Sequence, residues 1–410
     1  MAVRIRCSDW EKDQQLKSDL ERYVLANYSR QEILDFASRD YPEYAWSLPT
    51  LSRRLNFFGI KYIRYETSVE DVKKAIQEEM EGPGQYLGYR AMQRKVREQH
   101  KLAVPRNLVY DVMSMVDPEG MTRRGNVAQK KRQRGATGTF TSLGPSHTHS
   151  GDGHDKLKGF MNSTFPLAVY WFQDAFSGYI FYLKLWTTNS DPKLIGRWYM
   201  DHLYSTKVIS KYLRLDKGTE TGHMAAIHTF LRQDQDNEPE TTVFYGPSTN
   251  NKIERWWGDL HNRFERFFKR QLTILLEQGH YDPSNQTDRH LLAFIFIPFI
   301  QKEMNIFRET VWNSHRVRSQ KGAAVPKGIP NHLYSFPGQY NADECGLQVT
   351  QEALDEVATL SGVMSVGDDY LPSSVREECE RIVPNIDGVK PAEAADAYLF
   401  LKAQYREPTS

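Results

Sequence analysis

Residues 250–264 read NNKIERWWGDLHNRF. Asn250 and Asn251 suit a turn or a cap, because short amide side chains bond nearby backbone groups. The residues that follow predict a helix with Glu254 at its start. Lys252 and Arg255 flank that carboxylate, and cations there can hold a phosphate backbone. Upstream, RLDKGTETG (214–222) sets Asp216 just after a short apolar stretch, and GDGHDKLKG (151–159) carries Asp152. Three carboxylates in the order Asp, Asp, Glu, the last on a helix, suggest a site for two divalent metals. Such a pair drives in-line attack on a phosphodiester.

Carboxylates need a reason to gather. Three like charges a few ångströms apart repel and raise one another's pKa values. Divalent cations remove the conflict, which points to Mg²⁺ or Mn²⁺, two per site. One would activate a water or a 3′-hydroxyl, and the other would stabilise the leaving oxygen. The chain has 52 acidic residues, so the order alone also fits ordinary surface or capping acids. Position favours the site: Asp152 opens an α/β region, Asp216 closes a strand after a crossover helix, and Glu254 opens the helix after the last strand.

At 410 residues two or three domains are expected. With 40% hydrophobic and 26% charged residues, a soluble globular protein is expected. No apolar run is long enough for a bilayer, and no apolar signal core opens the chain. Cys7, Cys345 and Cys379 are too scattered for a disulfide framework or a zinc knuckle, which fits a reducing intracellular compartment. The net charge of +1 hides an asymmetry. Residues 1–135 carry 25 Lys and Arg against 19 Asp and Glu, so +6; residues 341–410 carry 5 against 14, so −9. A basic front half suits a polyanion partner, although solvated helix faces give the same excess.

Residues 9–26 and 30–40 read as helices, the second capped by Ser29. A third runs through LPTLSRRLNFFGI, capped by Ser47, with Leu48, Leu51, Leu55 and Phe58 at helical spacing and Arg53 and Arg54 off that stripe. Three short helices with an arginine-bearing third describe a helix-turn-helix, residues 1–66. A second such unit, residues 67–120, has helices over 68–81, 88–100 and 104–116. Arg90, Arg94, Lys95, Arg97 and Arg106 make it basic. Plain helical bundles used for packing or dimerisation are the competing reading. Residues 121–147 read as a basic linker, with Arg123, Arg124, Lys130, Lys131, Arg132 and Arg134 and no acid. Such a segment orders on nucleic acid and resembles a nuclear localisation signal.

From residue 148 strands alternate with helices. LAVYWF (167–172) and YIFYLKLW (179–186) form a hairpin about DAFSG. A helix follows, capped by Asn189 or Ser190. Then come the strand 212–216, the helix 221–232, the strand 241–246 and the Glu254 helix to about residue 273. This order predicts an α/β sandwich with a mixed sheet. One long amphipathic helix is expected over 286–313. Residues 321–410 form an acidic C-terminal region with one or two helices and no assigned role.

These elements carry a resemblance. The chain resembles DDE integrases and transposases of the retroviral-integrase superfamily, and more closely eukaryotic proteins known as integrase core domain proteins. The residues that carry it are DGHDKL (152–157), QDAFSGYIFYLKLW (173–186), NSDPKLI (189–195), LDKGTETG (215–222), GPSTNNKIERWWGDL (246–260), LLEQGHYDP (275–283) and VPKGIP (325–330). They span most of residues 70–340. The resemblance implies an RNase H-like catalytic core over 148–320, behind N-terminal helical helix-turn-helix domains and ahead of a helical C-terminal extension. It implies Asp152, Asp216 and Glu254 as the catalytic, metal-binding carboxylates. Asp174 matches the family's hairpin turn and is not catalytic. His154, Asp155 and Lys156 are candidates to support Asp152 or to touch DNA. Two departures stand out. The strand before Asp152 is apolar in the family but reads SHTHSGD (146–152) here, so a short or irregular edge, or a badly placed first ligand, is expected. The His-His-Cys-Cys zinc module is missing, and His147 and His149 have no cysteines nearby to form another.

The implied function is metal-dependent phosphodiester hydrolysis and DNA strand transfer by a nuclear, mobile-element-derived recombinase that works as an oligomer on double-stranded DNA. The DNA contacts would come from Lys252, Arg255 and Arg263, from Arg53, Arg54, Arg90, Arg94 and Arg106, and from Arg123, Arg124, Lys130, Lys131 and Arg132. Two alternatives stay open. One is a retained element protein that binds DNA or a partner without chemistry. The other is an RNase H-like nuclease without strand transfer.

Overall fold

The computed structural model describes residues 9–129, 142–159, 163–236, 238–246, 251–317 and 326–406, with backbone alone at 125–129 and 251–255. It divides into two compact units, Met1–Arg132 and Gln133–Ser410.

The first unit is helical: α1 (Gln14–Leu25), α2 (Arg30–Asp40), α3 (Leu48–Phe57), α4 (Val69–Met80), α5 (Tyr89–Gln99), α6 (Arg106–Val116) and α7 (Pro118–Gln129). Ser29 and Ser47 close capping boxes with Glu32 and Thr50, satisfying amides that a first turn leaves unpaired. Val72, Ile76, Met92, Val96, Val109 and Val112 share one core. Arg97 is 1% exposed and donates to the carbonyls of Val24 (2.7 Å), Leu25 (3.1 Å) and Tyr62 (3.0 Å). Lys95 is buried against Glu79 at 2.6 Å. The stretch read as a linker begins as helix: α7 reaches Gln129. Asp117 accepts from the Gly120 amide (2.9 Å) and pairs with Arg124 (2.9 Å), so a local cap outweighs the glycines and threonines that argued for coil.

The second unit is built on a five-stranded mixed sheet. Its strands are β1 (Thr148–His154), β2 (Ala168–Asp174), β3 (Ile180–Trp186), β5 (Tyr212–Leu215) and β6 (Val243–Tyr245), in the order β3-β2-β1-β5-β6. β1 runs antiparallel to β2 and parallel to β5, and β5 parallel to β6. β4 (Val208–Ile209) pairs apart with β7 (Leu347–Gln348). The helices are α8 (Pro192–Thr206), α9 (Gly222–Arg232), α10 (Asn251–Leu260), α11 (Arg266–Glu277), α12 (Gln286–Ile306), α13 (Pro330–Ser335), α14 (Gln351–Ser361), α15 (Ser373–Ile382) and α16 (Ala394–Gln404). A π-helical turn, His261–Glu265, joins α10 to α11, and another, Phe307–Asn313, extends α12.

Several expectations are corrected. SHTHSGD forms no irregular edge: β1 is the central strand, bonded on both sides. His149 is buried with its ring 4.7 Å from Phe181 and 5.3 Å from Phe172. Strand preference is mostly side-chain packing, and here buried imidazole and hydroxyl groups supply it. The two glycines allow close approach. A Cβ at Gly151 would come 2.7 Å from the Tyr170 hydroxyl, and one at Gly153 2.8 Å from the Asn189 amide nitrogen. Asp191, not Asn189 or Ser190, caps α8; Asn189 instead donates to Asp155 at 2.9 Å. Helix α12 is buried on every side from Leu291 to Ile297 rather than amphipathic, because sheet and C-terminal helices cover opposite faces. The C-terminal region holds four helices, α13–α16, not one or two. They pack on the same unit through Arg197–Asp368 (2.6 Å) and Lys402–Asp288 (2.6 Å).

Candidate active site

The sheet register brings the two aspartates together. Thr148 lies opposite Tyr212, His149 opposite Leu213 and Ser150 opposite Arg214. Carried on two residues, this pairing sets Asp152 beside Asp216 at the C-terminal end of parallel strands. The charge of Asp216 acts on the Asp152 carboxyl. Asp152 is part-buried and Asp216 exposed, so the pair stands at a rim open to solvent. Burial, and then the neighbouring Asp216, push the Asp152 carboxyl up to about 7. β6 ends at this same edge, where the Gly246 amide bonds the Leu215 carbonyl at 3.2 Å.

Helix α10 returns over Asp152. The Trp257 indole Nε1 donates to Asp152 Oδ2 at 2.8 Å. Residue 254 lies one helical turn before Trp257 in the same helix, the spacing at which residues share a helix face. The Glu254 side chain lies outside the described residues. Among the described residues no three His, Cys, Asp or Glu side chains gather as a metal-ligating set. The structure thus brings Asp152 and Asp216 together and sets the backbone of residue 254 nearby.

Sequence reasoning missed the layer behind Asp152. The His154 ring stacks on the Trp257 indole, centroids 3.9 Å apart and planes 4° from parallel. His154 Nε2 lies 2.9 Å from Glu265 Oε1, and His261 Nδ1 lies 3.1 Å from Oε2. Glu265 is fully buried. Burial pushes its carboxyl up, but the two histidines outweigh that and hold it below the usual range. The signal was present in WWGDLHNRFE, yet it depends on the π-helical turn, which no periodicity count anticipates. Glu220 was also passed over; its charge acts on the Tyr170 hydroxyl together with those of Asp152 and Asp216.

The other expected residues scatter. Asp174 is buried and accepts from the Ser146 amide (2.9 Å) and from the Ser177 amide (2.7 Å) and hydroxyl (2.6 Å), so it holds the hairpin turn. Asp155 pairs with Lys158 at 3.2 Å, and Lys156 is exposed. Burial holds the His149 imidazole well below its usual pKa, so the ring is neutral in an aromatic setting. Arg54 is 6% exposed, its guanidinium 4.2 Å from the Trp46 ring centre and 5.2 Å from that of Trp10. It is packed away from solvent and does not present the phosphate contact expected of it. Arg124 is held by Asp117 and by the Gln85 carbonyl at 2.7 Å. Arg53, Arg90, Arg106, Arg123 and Arg263 are exposed and Arg94 is part-buried. The side chains of Lys252, Arg255, Lys130, Lys131 and Arg132 lie outside the described residues. One basic surface went unread: Arg266, Lys269 and Arg270 of α11 line an open cleft of about 580 Å³ with His261 and Thr273.

A family model described as an integrase core domain matches residues 152–335. None of the curated proteins compared matches the chain. The matched span begins at Asp152 and takes in Asp216, Glu254, Trp257 and Glu265, and over residues 152–335 the chain is similar to integrase core domains.

Proposed function

We propose that this chain is a DDE-type polynucleotidyl transferase that nicks double-stranded DNA and joins a 3′ end to a target. The observation that carries this is the Asp152–Asp216 pair at one sheet edge, with residue 254 one turn from the tryptophan that bonds Asp152. The mixed sheet is the one expected of an RNase H-like core. The donor set fits divalent metal. Two neighbouring carboxyl groups, one pushed up to about 7, form a pair whose mutual repulsion a cation would relieve. Asp152, Asp216 and Glu254 would hold Mg²⁺ or Mn²⁺. When bound, the ions supply activation of the attacking hydroxyl and charge neutralisation at phosphorus.

The chain's own residues do the rest. Trp257 fixes one oxygen of Asp152. Exposed Arg263 and Arg270, with the half-buried Lys269 on the same continuous helix, would hold the strand by its phosphates, with Lys252 and Arg255 near the carboxylates. Arg53, Arg90, Arg106 and Arg123 would add sequence-independent affinity from the N-terminal helices, read as helix-turn-helix units. Two DNA ends need two active sites, so a homo-oligomer is proposed, and the basic run at 130–134 supports a nuclear address. The reading as a DNA binder without chemistry rested on the polar strand ahead of Asp152. With β1 central in the sheet, that reading loses its support.

The test compares nicking of an oligonucleotide with joining of its 3′ end, in Mg²⁺ or Mn²⁺. Asp152→Asn, Asp216→Asn and Glu254→Gln are each expected to abolish both. Undiminished activity in any of the three would overturn the assignment, and nicking without joining would favour the plain nuclease.

A further inference from the structure

The Asp152 carboxylate has two oxygens, and α10 binds only one. Trp257 Nε1 donates to Oδ2, while the neighbouring Asp216 acts on the carboxyl group through its charge. A donor fixed on one oxygen stops the carboxylate from rotating. That matters for a ligand on a strand that ends at an open rim.

The indole is itself held. It stacks face to face on His154 and meets the Trp256 ring edge-on at 4.7 Å. His154 stands on the same strand as Asp152, two residues on, and its Nε2 rests against Glu265. Glu265 is braced in turn by His261. The π-helical turn makes this possible. Seven residues of an α-helix return to nearly the same face. The wider turn over His261–Glu265 takes in one more residue, so residue 265, rather than 264, comes round beneath Trp257. A buried carboxylate this close to the rim would otherwise be costly.

We propose that Trp257 is the positioning residue for Asp152, and that Glu265, through His154, locks the indole plane so that Asp152 is set for metal before metal arrives. This rests on the reading of Asp152 and Asp216 as metal ligands. Trp257→Phe keeps an aromatic ring and removes the N–H donor. Glu265→Gln keeps the size and changes the group that His154 Nε2 rests against.

The experiment measures Mn²⁺ binding to the full chain by the electron paramagnetic resonance of free Mn²⁺. Asp152→Asn is the control, and binding to a DNA duplex in EDTA is measured in parallel. Trp257→Phe is expected to weaken Mn²⁺ binding by about tenfold or more, the range seen when a residue behind a metal ligand is lost. Glu265→Gln is expected to weaken it by a smaller factor, and DNA binding in EDTA should hold in both. Wild-type Mn²⁺ affinity in Trp257→Phe, with binding lost in Asp152→Asn, would overturn the positioning role alone. Wild-type affinity in Asp152→Asn would instead sink the metal-site reading. Should Trp257→Phe fail to fold, the indole N–H resonances of the wild-type chain decide. One of them is expected to move both on adding Mg²⁺ and in Asp152→Asn; if none moves, the proposal is wrong.

Discussion

Asp152 and Asp216 meet because two parallel strands run in register to the same edge, and burial together with the charge of Asp216 raises the Asp152 carboxyl. With divalent ions chelated, Asp152 keeps its proton to about pH 7, whereas in the unfolded chain it loses it near 3.9. Between those values the folded state binds the extra proton. This group therefore favours the fold below about pH 4, and that contribution is lost as pH rises through 7. Urea unfolding of Asp152→Asn without metal should lack this slope and show higher stability than wild type at pH 8. Adding Mg²⁺ should raise the wild-type melting temperature and leave that of Asp152→Asn unmoved. An equal Mg²⁺ shift in both would contradict the shared site.

A second pH effect has the opposite sign. His149, His202 and His228 are buried in the second unit, and burial holds His202 and His228 down to about 3. The unfolded chain takes up these protons near pH 6.5 and the folded one does not. Stability is therefore full above about 6.5 and falls toward pH 3, by about 1.4 kcal/mol per pH unit for each such histidine. The loss outweighs the gain from Asp152. His202 sits 4.5 Å from Phe181 and 5.2 Å from Phe172, ring centre to ring centre, so His202→Phe should fit and flatten the acid limb. A denaturation series at pH 7 and pH 5 in which wild type and His202→Phe lose stability equally would refute this.

Asp216 and its strand were legible because β5 ends where the apolar stretch stops and the crossover helix before it is strongly patterned. β1 was misjudged because SHTHSG draws its stability from Phe172, Phe181 and Tyr170 on other elements, which local composition does not contain. Glu265 was invisible for a related reason: an even helical count faces it away from Trp257, and only the π-helical turn brings it back. The C-terminal helices were undercounted because their buried residues are sparse, as with Leu354 and Val357 of α14, and acquire meaning only against the sheet unit.

Gly151 makes a steric prediction. Its missing side chain leaves room for the Tyr170 hydroxyl, which itself donates to Met224 Sδ at 3.4 Å. Gly151→Ala should overpack this point and cost about 1–3 kcal/mol. Adding Tyr170→Phe, which removes the colliding oxygen, should restore part of that loss. Thermal unfolding of the single and double variants checks it, and strictly additive losses would mean that the collision is not where the cost arises.

The cations of the first unit should divide into two kinds, and stability and salt dependence separate them. Arg97 donates to the backbone carbonyls of Val24, Leu25, Tyr62 and Val104, so Arg97→Met should cost about 3 kcal/mol or more as those acceptors lose a charged donor. Arg90 and Arg106 are exposed, Arg90 lying over the Tyr89 ring with its charge free to face solvent. Arg90→Ala and Arg106→Ala should leave the melting temperature within a degree or two yet weaken duplex binding. Each phosphate contact removed should also lower the slope of log affinity against log salt by about 0.9. Unchanged slopes in both variants would assign these helices to packing or self-association, and DNA binding would then rest on the integrase core.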